Sequence, residues 1–522
     1  MNKRWSRLAI GSIITALMAL SISACSNSNN ESSGSGAGSP GSGSAQPASA
    51  SPTATAKPKT PPTVTILATK STNYPDENAV IQEIRKRTET NVQVIAVDGP
   101  EYENKLNTML ASGSPPDIFI SSSKAKIQTL VDNKVILPLD DLLAKNGQSI
   151  MDNKGKYLKG AGYIGGKTYA IPNAYVLGNG LAFRQDWLTK LGLKVPTTLD
   201  EEYEVLKAFA TKDPDGNGKN DTIPLGVITA ADQTFDHVFA AYGVPIKTPV
   251  LVGDKVTPWS LAPGYLDAVK YFNKLYKEGL IEPDFATVPN LQEFEKLWNG
   301  KMGAFQFNPP GTTQNWLTRY TENPKPTFVY TIIKGPNGVG GNTRFVQEDK
   351  GPWTHISSKA KDPEAAMRVL NFLNSEEGDK LTWAGIEGKH YSMKDGKFEW
   401  IKPYDDATQQ RNEGGFAYNG ISQRLNGMEV SLMNEVTRKA IDMSVNSPIP
   451  DAYIFGVPEI EKDKKKVLDD MELEFRTKAI VSKGDIDKMY DDYKKKYLAE
   501  GGSAWIEQAT AIYNKEQADR KK

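Results

Sequence analysis

The sequence has few of the residues that form covalent cross-links and most catalytic centres. It contains one cysteine and three histidines among 522 residues. A single thiol excludes a disulfide framework, thiolate zinc sites and iron–sulfur clusters, because each of these needs several cysteines. His237, His355 and His390 are far apart in the sequence and lie outside any HExxH motif, and no Gly-x-Ser-x-Gly elbow is present. Histidine-dependent catalysis is therefore not expected.

The sequence also lacks an excess of charge of either sign. Lysine and arginine together number 63, and aspartate and glutamate together number 63. Nucleic-acid-binding proteins usually show a basic excess, so no nucleic-acid partner is expected. A chain of 522 residues exceeds what one hydrophobic core usually supports, so we expect at least two packed domains or lobes.

The N-terminal segment has the features of an export signal. Three basic residues within the first seven positions precede an uncharged apolar run, Leu8–Ile22, which is too short to span a bilayer comfortably. The run ends in Ile-Ser-Ala-Cys, and these four residues resemble a bacterial lipobox. That resemblance implies that residues 1–24 are removed as a signal peptide and that Cys25 carries a diacylglycerol thioether. The alternative is a simple signal peptide followed by an incidental cysteine.

The segment after this cysteine is rich in Ser, Gly, Ala and Pro and has almost no apolar side chains up to Pro62. Such a segment cannot bury a core, so residues 25–62 are expected to be the lipidated cysteine and a flexible linker. At about 5–6 Å times the square root of its length, the linker holds the folded part on the order of 30 Å from the lipid. We therefore expect an exported protein, lipid-anchored at the outer face of the bacterial cytoplasmic membrane.

The folded part begins with alternating strand and helix patterns. Thr63–Thr69 and Asn91–Val97 are rich in β-branched residues, and "PPDIFI" at 115–120 predicts a third strand. The segments between them place apolar residues at helical spacing. This alternation predicts an α/β fold with a mostly parallel sheet, whose ligands bind beyond the carboxyl ends of the strands. The loops Ser71–Asp76 and Ser121–Lys124 follow two of these strands.

Seven stretches of the folded part form a recognisable series. They are "YENKLNTMLASGSPPDIFI" (Tyr102–Ile120), "GGKTYAIPNAY" (Gly165–Tyr175), "LAFRQDWLTKLGLKVPTTLDEEYE" (Leu181–Glu204), "LWNGKMGAFQF" (Leu297–Phe307), "SSKAKDPEAAMRVLNFLNSEEG" (Ser357–Gly378), "GIEGKHYSM" (Gly385–Met393) and "KAIVSKGDIDKMYDDYKKKYLAEGG" (Lys478–Gly502). In this order, over about 460 residues, they resemble the extracellular solute-binding proteins of ABC importers, in the broad group that includes maltose-binding protein. The resemblance is strongest to the large lipoprotein subgroup associated with complex, pectin-type or alginate-type saccharides.

The resemblance implies a type II periplasmic-binding-protein-like fold, in which two α/β lobes hold ligand in a cleft and close about a hinge. On this basis the first lobe comprises residues 63–176 and about 352–405. The second lobe comprises residues 177–351 and about 406–522. The chain is expected to cross between the lobes near Asn173–Leu181 and again near Lys350–Ser358.

The stretch "DPDGNGKNDTIP", which begins at Asp213, has the spacing of a calcium-binding loop. Oxygen ligands at alternate positions with a glycine at the sixth suit a hard cation. The expected ligands are Asp213, Asp215, Asn217, the backbone carbonyl of Lys219, and Asp221. The twelfth position is Pro224, where calcium loops have Glu, so bidentate closure is missing and modest affinity is expected. The family resemblance implies a similar structural calcium site, and the alternative is a polar turn.

Saccharide sites need flat aromatic faces under sugar rings and planar polar groups at the hydroxyls. Trp316 follows the strand "MGAFQF" and the loop "NPPGTTQN", which resembles the place where maltose-binding protein sends a tryptophan into its cleft. By contrast, Trp187 and Trp298 lie on apolar helical stripes and are assigned to the core. For Arg184, a structural pair with Asp186 is the alternative. The candidate ligand-binding residues are Tyr74, Asn173, Tyr175, Arg184, Asn308, Gln314, Trp316, Trp353 and Trp383.

The sequence therefore predicts a binding protein that works by cleft closure, and no enzyme. The expected function is the lipid-anchored, monomeric substrate-binding subunit of an ABC importer for oligosaccharides. We find no membrane-spanning segment and no ATP site in the sequence, so transport requires separate permease and ATPase subunits. Two alternatives stay open. One is an exported polysaccharide-active enzyme using paired carboxylates such as Asp140 and Asp141, and the other is a binding protein for peptides or for a sensor system.

Overall fold

The computed structural model describes residues 60–69, 76–173, 179–316, 319–343, 352–394, 397–415 and 432–520, together with positions 418, 420, 421, 424 and 427. Three residues singled out in the sequence, Cys25, Tyr74 and Tyr175, lie outside this part of the chain. Within the described residues, no helix combines the length and the apolar character that crossing a membrane requires.

Between residues 63 and 172 the described chain alternates strands and helices. The strands are β1 (Thr63–Thr69), β2 (Asn91–Val97), β3 (Ile118–Ser121), β4 (Tyr163–Ile164), β5 (Lys167–Thr168) and β6 (Ile171–Pro172). The helices are α1 (Ala79–Thr88), α2 (Tyr102–Ala111), α3 (Lys124–Asp132), α4 (Asp140–Asn146) and α5 (Gln148–Lys154). Helix α1 starts where the Asn78 side chain accepts a hydrogen bond from the Ile81 N–H, which satisfies one of the free donors of the first turn.

The next part of the chain, from 180 to 331, repeats this alternation. Its strands are β7 (Gly180–Arg184), β8 (Ile223–Gly226), β9 (Val250–Val252), β10 (Lys255–Thr257), β11 (Met302–Phe307) and β12 (Phe328–Thr331). Its helices are α6 (Gln185–Leu191), α7 (Leu199–Thr211), α8 (Asp236–Ala241), α9 (Tyr265–Lys277) and α10 (Asn290–Trp298).

From residue 353 onward the chain is mainly helical. Its strands are β13 (Trp353–Ile356), β14 (Tyr391–Lys394) and β15 (Lys397–Trp400). Its helices are α11 (Pro363–Leu373), α12 (Glu376–Ala384), α13 (Ala407–Asn412), α14 (Glu435–Val445), α15 (Glu461–Val481), α16 (Ile486–Tyr497) and α17 (Ser503–Arg520).

The first sheet has the strand order β2-β1-β3-β13-β6. Strand β1 runs parallel to β2 and β3, whereas β13 runs antiparallel to β3 and β6. Successive side chains of a strand point to opposite faces, and in β1 Val64 and Ile66 join one core cluster while Leu67 joins another. Helices α1, α4 and α11 supply apolar residues to the cluster of Val64 and Ile66. This sheet and its helices are called the first lobe.

The second sheet has the strand order β12-β7-β11-β8. Strand β11 is parallel to β8 and antiparallel to β7, so β11 and β8 present their carboxyl ends at the same edge. The core of this lobe is the largest, and it combines apolar residues of β7, α7, α8 and α9 with the C-terminal helices α15 and α16. The second sheet and these helices are called the second lobe.

The chain passes between the two sheets at positions that the strand order defines. Strand β6 of the first sheet ends at Pro172 and β7 of the second begins at Gly180, and the return passage lies between β12 and β13. A further passage comes later than the boundary expected at about residue 405. Tyr418 and Ile421 still pack in the first lobe, where Asn78 donates a hydrogen bond to the Tyr418 hydroxyl at 2.6 Å. The first lobe therefore includes residues as far along the chain as Ile421.

Candidate ligand-binding site

The loop after β11 carries three of the candidate residues. Asn308 uses its side-chain oxygen to accept a hydrogen bond from the Gly311 N–H at 2.7 Å, which shapes the turn after the strand. Gln314 lies in the π-type turn Gly311–Asn315 that follows. The turn is fixed to α14 by a hydrogen bond of 2.7 Å between the Thr313 and Thr437 hydroxyls. The loop is therefore held in place at the carboxyl edge of the second sheet.

Trp316, at the end of this loop, packs in an aromatic cluster. Its ring lies 4.8 Å from that of Phe294, 5.1 Å from that of Phe307 and 5.6 Å from that of Trp298, measured between ring centroids. The sequence separated Trp316 from Trp298 as cleft and core residues. The structure brings both into one cluster, where each is partly buried, so packing against protein accounts for part of the Trp316 surface.

Arg184 does not have the exposure of a ligand contact. Its side chain is 3% exposed, and its guanidinium forms paired hydrogen bonds with the carboxylates of Asp186 and Glu322. It also lies 4.6 Å over the Trp187 ring. Two bidentate carboxylates satisfy the donors of an arginine fork, so the structural pair is the interpretation that the structure supports. The assignment of Arg184 to ligand binding is corrected accordingly.

Two further tryptophans differ in burial. Trp353 is 2% exposed in strand β13 and packs with Phe119 in the core of the first lobe, which contradicts its assignment to the ligand site. A strand in the middle of a sheet buries its side chains on both faces, and this placement of β13 explains the difference. Trp383 lies in α12 and is partly buried against Tyr391 and its neighbours, so part of its ring stays available.

Asn173 lies at the point where the described chain leaves the first sheet. Its backbone N–H donates to the Pro352 carbonyl at 2.7 Å, and its side-chain amide donates to the Gly420 carbonyl at 2.8 Å. The residue therefore joins the ends of three passages between the lobes, and its side chain is buried. This geometry suits a hinge residue. The side-chain N–H of Asn173 is already used in a hydrogen bond to the protein.

Lys124, the last residue of the loop Ser121–Lys124, contacts the segment 453–456, which the sequence did not indicate as its partner. It begins α3, just after β3, and its ammonium donates to the carbonyls of Ile454 at 2.5 Å and Gly456 at 3.2 Å. The ammonium also lies 5.0 Å from the centre of the Tyr453 ring. Phe455 packs into the first lobe, while the Glu516 carboxylate of α17 accepts its N–H. The segment 453–456 has no strand or helix period, so no periodic signal marked it.

The predicted calcium loop is a tight, acidic turn in the structure. The Asp213 carboxylate accepts hydrogen bonds from the N–H groups of Gly216, Asn217 and Gly218. Gly218 has φ of +77°, the left-handed conformation that favours glycine at the sixth position of the loop. The Asn217 amide nitrogen lies between the carboxylates of Asp215, at 2.7 Å, and Asp221, at 2.9 Å.

Charge in this loop is balanced by a lysine from outside it. The Lys301 ammonium lies 2.6 Å from Asp221 and 3.8 Å from Asp215. The backbone N–H of Gly218 is the main cause that lowers the pKa of Asp213, whereas burial raises the pKa of Asp215. Among the described residues, no group of three or more His, Cys, Asp or Glu side chains is arranged to hold a metal ion. The donor set of the loop is instead mixed, with carboxylates, one amide and one carbonyl.

Comparisons with known proteins place this geometry in context. Residues 68–380 match the family model described as bacterial extracellular solute-binding protein. Lipoprotein LipO of Bacillus subtilis (strain 168) is 27% identical over 460 residues, covering 84% of this chain and 89% of LipO. The polygalacturonan/rhamnogalacturonan-binding protein YtcQ of the same organism is 27% identical over 463 residues, covering 83% of this chain and 88% of YtcQ.

Solved structures show the same fold. The Streptococcus pneumoniae ABC-transporter substrate-binding protein FusA in complex with kestose has a TM-score of 0.67 at 22% identity, covering 88% of this chain and 100% of FusA. A FusA EF-hand mutant in complex with fructo-nystose has a TM-score of 0.66 at 22% identity, with the same coverage of 88% and 100%.

The match to the family model spans more than half of the chain, and the fold similarity extends over nearly all of the folded part. The predictions of a two-lobed α/β fold and of a solute-binding protein rather than an enzyme are confirmed. The chain belongs to the family of bacterial extracellular solute-binding proteins.

Proposed function

We propose that this protein is the substrate-binding subunit of an ABC importer and that it captures oligosaccharides between its two lobes. The observation that carries the proposal is its similarity, along most of the chain, to proteins named for saccharides. YtcQ is named for binding polygalacturonan and rhamnogalacturonan, and FusA is named a fructooligosaccharide ABC transporter substrate-binding protein. Binding by lobe closure follows, because only a closed form contacts a ligand from both sides and ligand therefore shifts the population toward it.

The proposed saccharide contacts rest on four partly buried side chains and on the loop that carries Trp316. Trp316, beyond the carboxyl end of β11, and Trp383 are partly buried tryptophans. The Lys124 ammonium lies beside the Tyr453 ring, and an ammonium with an aromatic ring suits sugar hydroxyls and ring faces. Asn308 and Gln314 lie in the same loop as Trp316.

Anchoring and transport partners complete the proposal. Cys25 as a lipid-modified N-terminus would hold the monomeric protein at the outer face of the cytoplasmic membrane, near its permease and ATPase subunits. Cys25→Ser is expected to release the protein into the soluble fraction, measured by fractionation after a high-salt wash that screens weak charge contacts. A Cys25→Ser protein that stays in the membrane after that wash would contradict lipid anchoring.

We also propose a structural calcium ion in the loop 213–224. The residues fit such an ion in order and in donor type, since alternate oxygen donors surround a glycine turn. The amide of Asn217 now points its nitrogen at two carboxylates, and rotation of that amide by a half-turn would offer its oxygen to a cation. A bound calcium ion would supply charge neutralisation, which Lys301 supplies in part.

Binding of oligosaccharides is tested by a thermal-shift screen followed by calorimetry. Purified protein without its lipid anchor would be screened against fructooligosaccharides, galacturonan fragments, alginate fragments and, as a class control, short peptides. At least one oligosaccharide is expected to raise the unfolding temperature, because a ligand of the folded state stabilises it by mass action. Shifts from peptides alone, or sustained turnover of a glycan, would contradict the proposal.

A further inference from the structure

A cavity lies within the C-terminal helical part of the second lobe, away from the passages between the lobes. Its volume is about 190 Å³. Helix α15 forms one side through residues between 461 and 472, and the other sides come from Lys247, Pro258–Ser260, Tyr497 and Trp505. Pockets for drug-sized ligands measure about 300–1,000 Å³, so this cavity suits one small ring rather than a chain.

Aromatic side chains form much of the cavity wall. Trp259 is 7% exposed and packs at 5.2 Å between centroids against the rings of Phe239 and Tyr265, so it leaves little surface to a ligand, whereas Trp505 is only partly buried. The Trp505 indole N–H donates to the Glu461 carboxylate at 2.8 Å, which fixes the orientation of the Trp505 ring. The Trp505 ring is therefore the aromatic group of the wall that a ring-shaped ligand could use for stacking.

The charges around the cavity exclude two classes of ligand. Two lysines and three acids line it, namely Lys247, Lys465, Glu461, Asp469 and Glu472. The carboxylates of Glu461 and Asp469 disfavour an anion beside them. A cation is disfavoured at the Trp259 ring, because the Lys247 ammonium and the Arg476 guanidinium already lie 6.0 Å and 5.7 Å from its centre.

With anions and cations disfavoured, the cavity suits a neutral ligand whose groups both donate and accept hydrogen bonds. The acids accept and the lysines donate, and Lys465 and Asp469 lie together at 2.5 Å on one side of the cavity. A hydroxyl group can bond to either partner, and neighbouring hydroxyls can bond to both. A sugar ring carries such hydroxyls on its edge and an apolar face for tryptophan.

The backbone between two of the lining residues is irregular. Tyr497 and Trp505 stand on either side of the π-type turn Leu498–Gly502, where Gly501 has φ of +145°, a conformation that favours glycine. This turn separates α16 from α17, so the two aromatic residues belong to different helices. Single π-type turns of this kind are frequent at functional sites.

We propose that this cavity binds a single neutral sugar ring, as a second saccharide site separate from the cleft. Its probes are methyl β-galactoside and methyl α-glucoside, with galacturonic acid as the anionic comparison and choline as the cationic one. Binding to the whole folded part of the protein would be followed by saturation-transfer NMR. A neutral glycoside is expected to bind, and galacturonic acid and choline are expected to bind about tenfold more weakly.

Three variants assign the binding to the cavity. Asp469→Ala and Trp505→Ala each remove a lining side chain and are expected to weaken glycoside binding about tenfold. Asp470→Ala changes the neighbouring acid on α15, which pairs with Lys466 instead, and is expected to bind as the wild type does. Asp469 is half exposed on its helix, so its variant keeps the test valid if Trp505→Ala fails to fold.

Several outcomes would overturn the second site. These are the absence of binding by both neutral glycosides, equal binding by all three variants, or binding of galacturonic acid or choline as tight as that of the glycosides. Thermal shifts by oligosaccharides, measured on the same variants, report the cleft separately. If no oligosaccharide raises the unfolding temperature of the wild type, the proposed function is contradicted. If oligosaccharides still raise the unfolding temperature of Asp469→Ala while its binding of glycosides is weakened, the cavity is a site separate from the cleft.

Discussion

Trp316 stacks on Phe307, with ring centroids 5.1 Å apart and ring planes inclined by 23°. Phe307 is the last residue of β11, so the stack fixes the loop after β11 to the strand that carries it. One face of Trp316 therefore serves the fold, and only the remaining surface is available to a ligand. Binding and stability are coupled at this residue.

Trp316→Ala is expected to weaken oligosaccharide binding by about 1–3 kcal/mol and to lower the free energy of unfolding by about 2 kcal/mol. The control is Trp187→Ala, which removes a fully packed tryptophan of the second lobe and is expected to cost about 3–5 kcal/mol of stability without changing binding. Calorimetry and denaturant unfolding on both variants give the two quantities. Wild-type affinity in Trp316→Ala would remove this residue from the site.

Arg184→Met tests whether Arg184 stabilises the fold rather than binding the ligand. The variant leaves the carboxylates of Asp186 and Glu322 without their partner, and both are partly exposed to solvent. The free energy of unfolding is therefore expected to fall by about 2–3 kcal/mol, below the full cost of breaking a buried pair. Oligosaccharide affinity is expected to stay at the wild-type value. Arg438→Met, at an exposed arginine, is the matched control and should change stability little.

If Arg184→Met instead lost oligosaccharide affinity while keeping the wild-type stability, Arg184 would be a ligand-binding residue. Denaturant unfolding and calorimetry on the same samples separate the two cases.

The local pattern of side chains in the sequence was sufficient to predict the strands and helices of the fold. The β-branched runs at Thr63–Thr69 and Asn91–Val97 form the expected strands. Strands and helices depend on side-chain period and on turn residues, which a single sequence displays directly. The family resemblance supplied the two-lobed topology.

Partners distant in the sequence were not predictable in this way. Arg184 finds its second carboxylate at Glu322, and Phe455 reaches the core of the first lobe from beyond α14. Trp298 and Trp316 share one aromatic cluster although helical period marked only the first as a core residue. A tertiary contact depends on which elements pack together, and neither composition nor period carries that information.

Calcium is expected to raise the unfolding temperature of the wild-type protein, and chelation to lower it, because an ion held only by the folded loop stabilises that state. Asp213→Ala combined with Asp215→Ala should abolish the calcium increment while leaving oligosaccharide binding intact. Lys301→Met removes the ammonium that lies 2.6 Å from Asp221, so it should strengthen the dependence of stability on calcium. An unchanged wild-type melting curve on chelation would reduce the loop to a polar turn.

Glu293 gives the protein a pH dependence whose sign is opposite to that of a paired surface carboxylate. It is fully buried in α10 beside Glu282, and the ammonium of Lys296 is the cation nearest to both acids among the described residues. Burial, with the charge of Glu282 adding to it, raises the pKa of Glu293 from 4.5 to about 8. Burial likewise raises the pKa of Glu282 to about 7.

The folded state therefore keeps a proton that the unfolded state loses, so stability is expected to fall as pH rises from about 4.5 toward 8. Glu293→Gln carries a neutral side chain at every pH and should flatten this decline, giving a higher unfolding temperature than the wild type at pH 8 and a similar one at pH 5. Glu295→Gln, at an exposed position of the same helix, is the matched control and should follow the wild-type curve. Thermal unfolding from pH 5 to pH 9 measures all three proteins, and parallel curves for Glu293→Gln and wild type would show that Glu293 is ionised throughout.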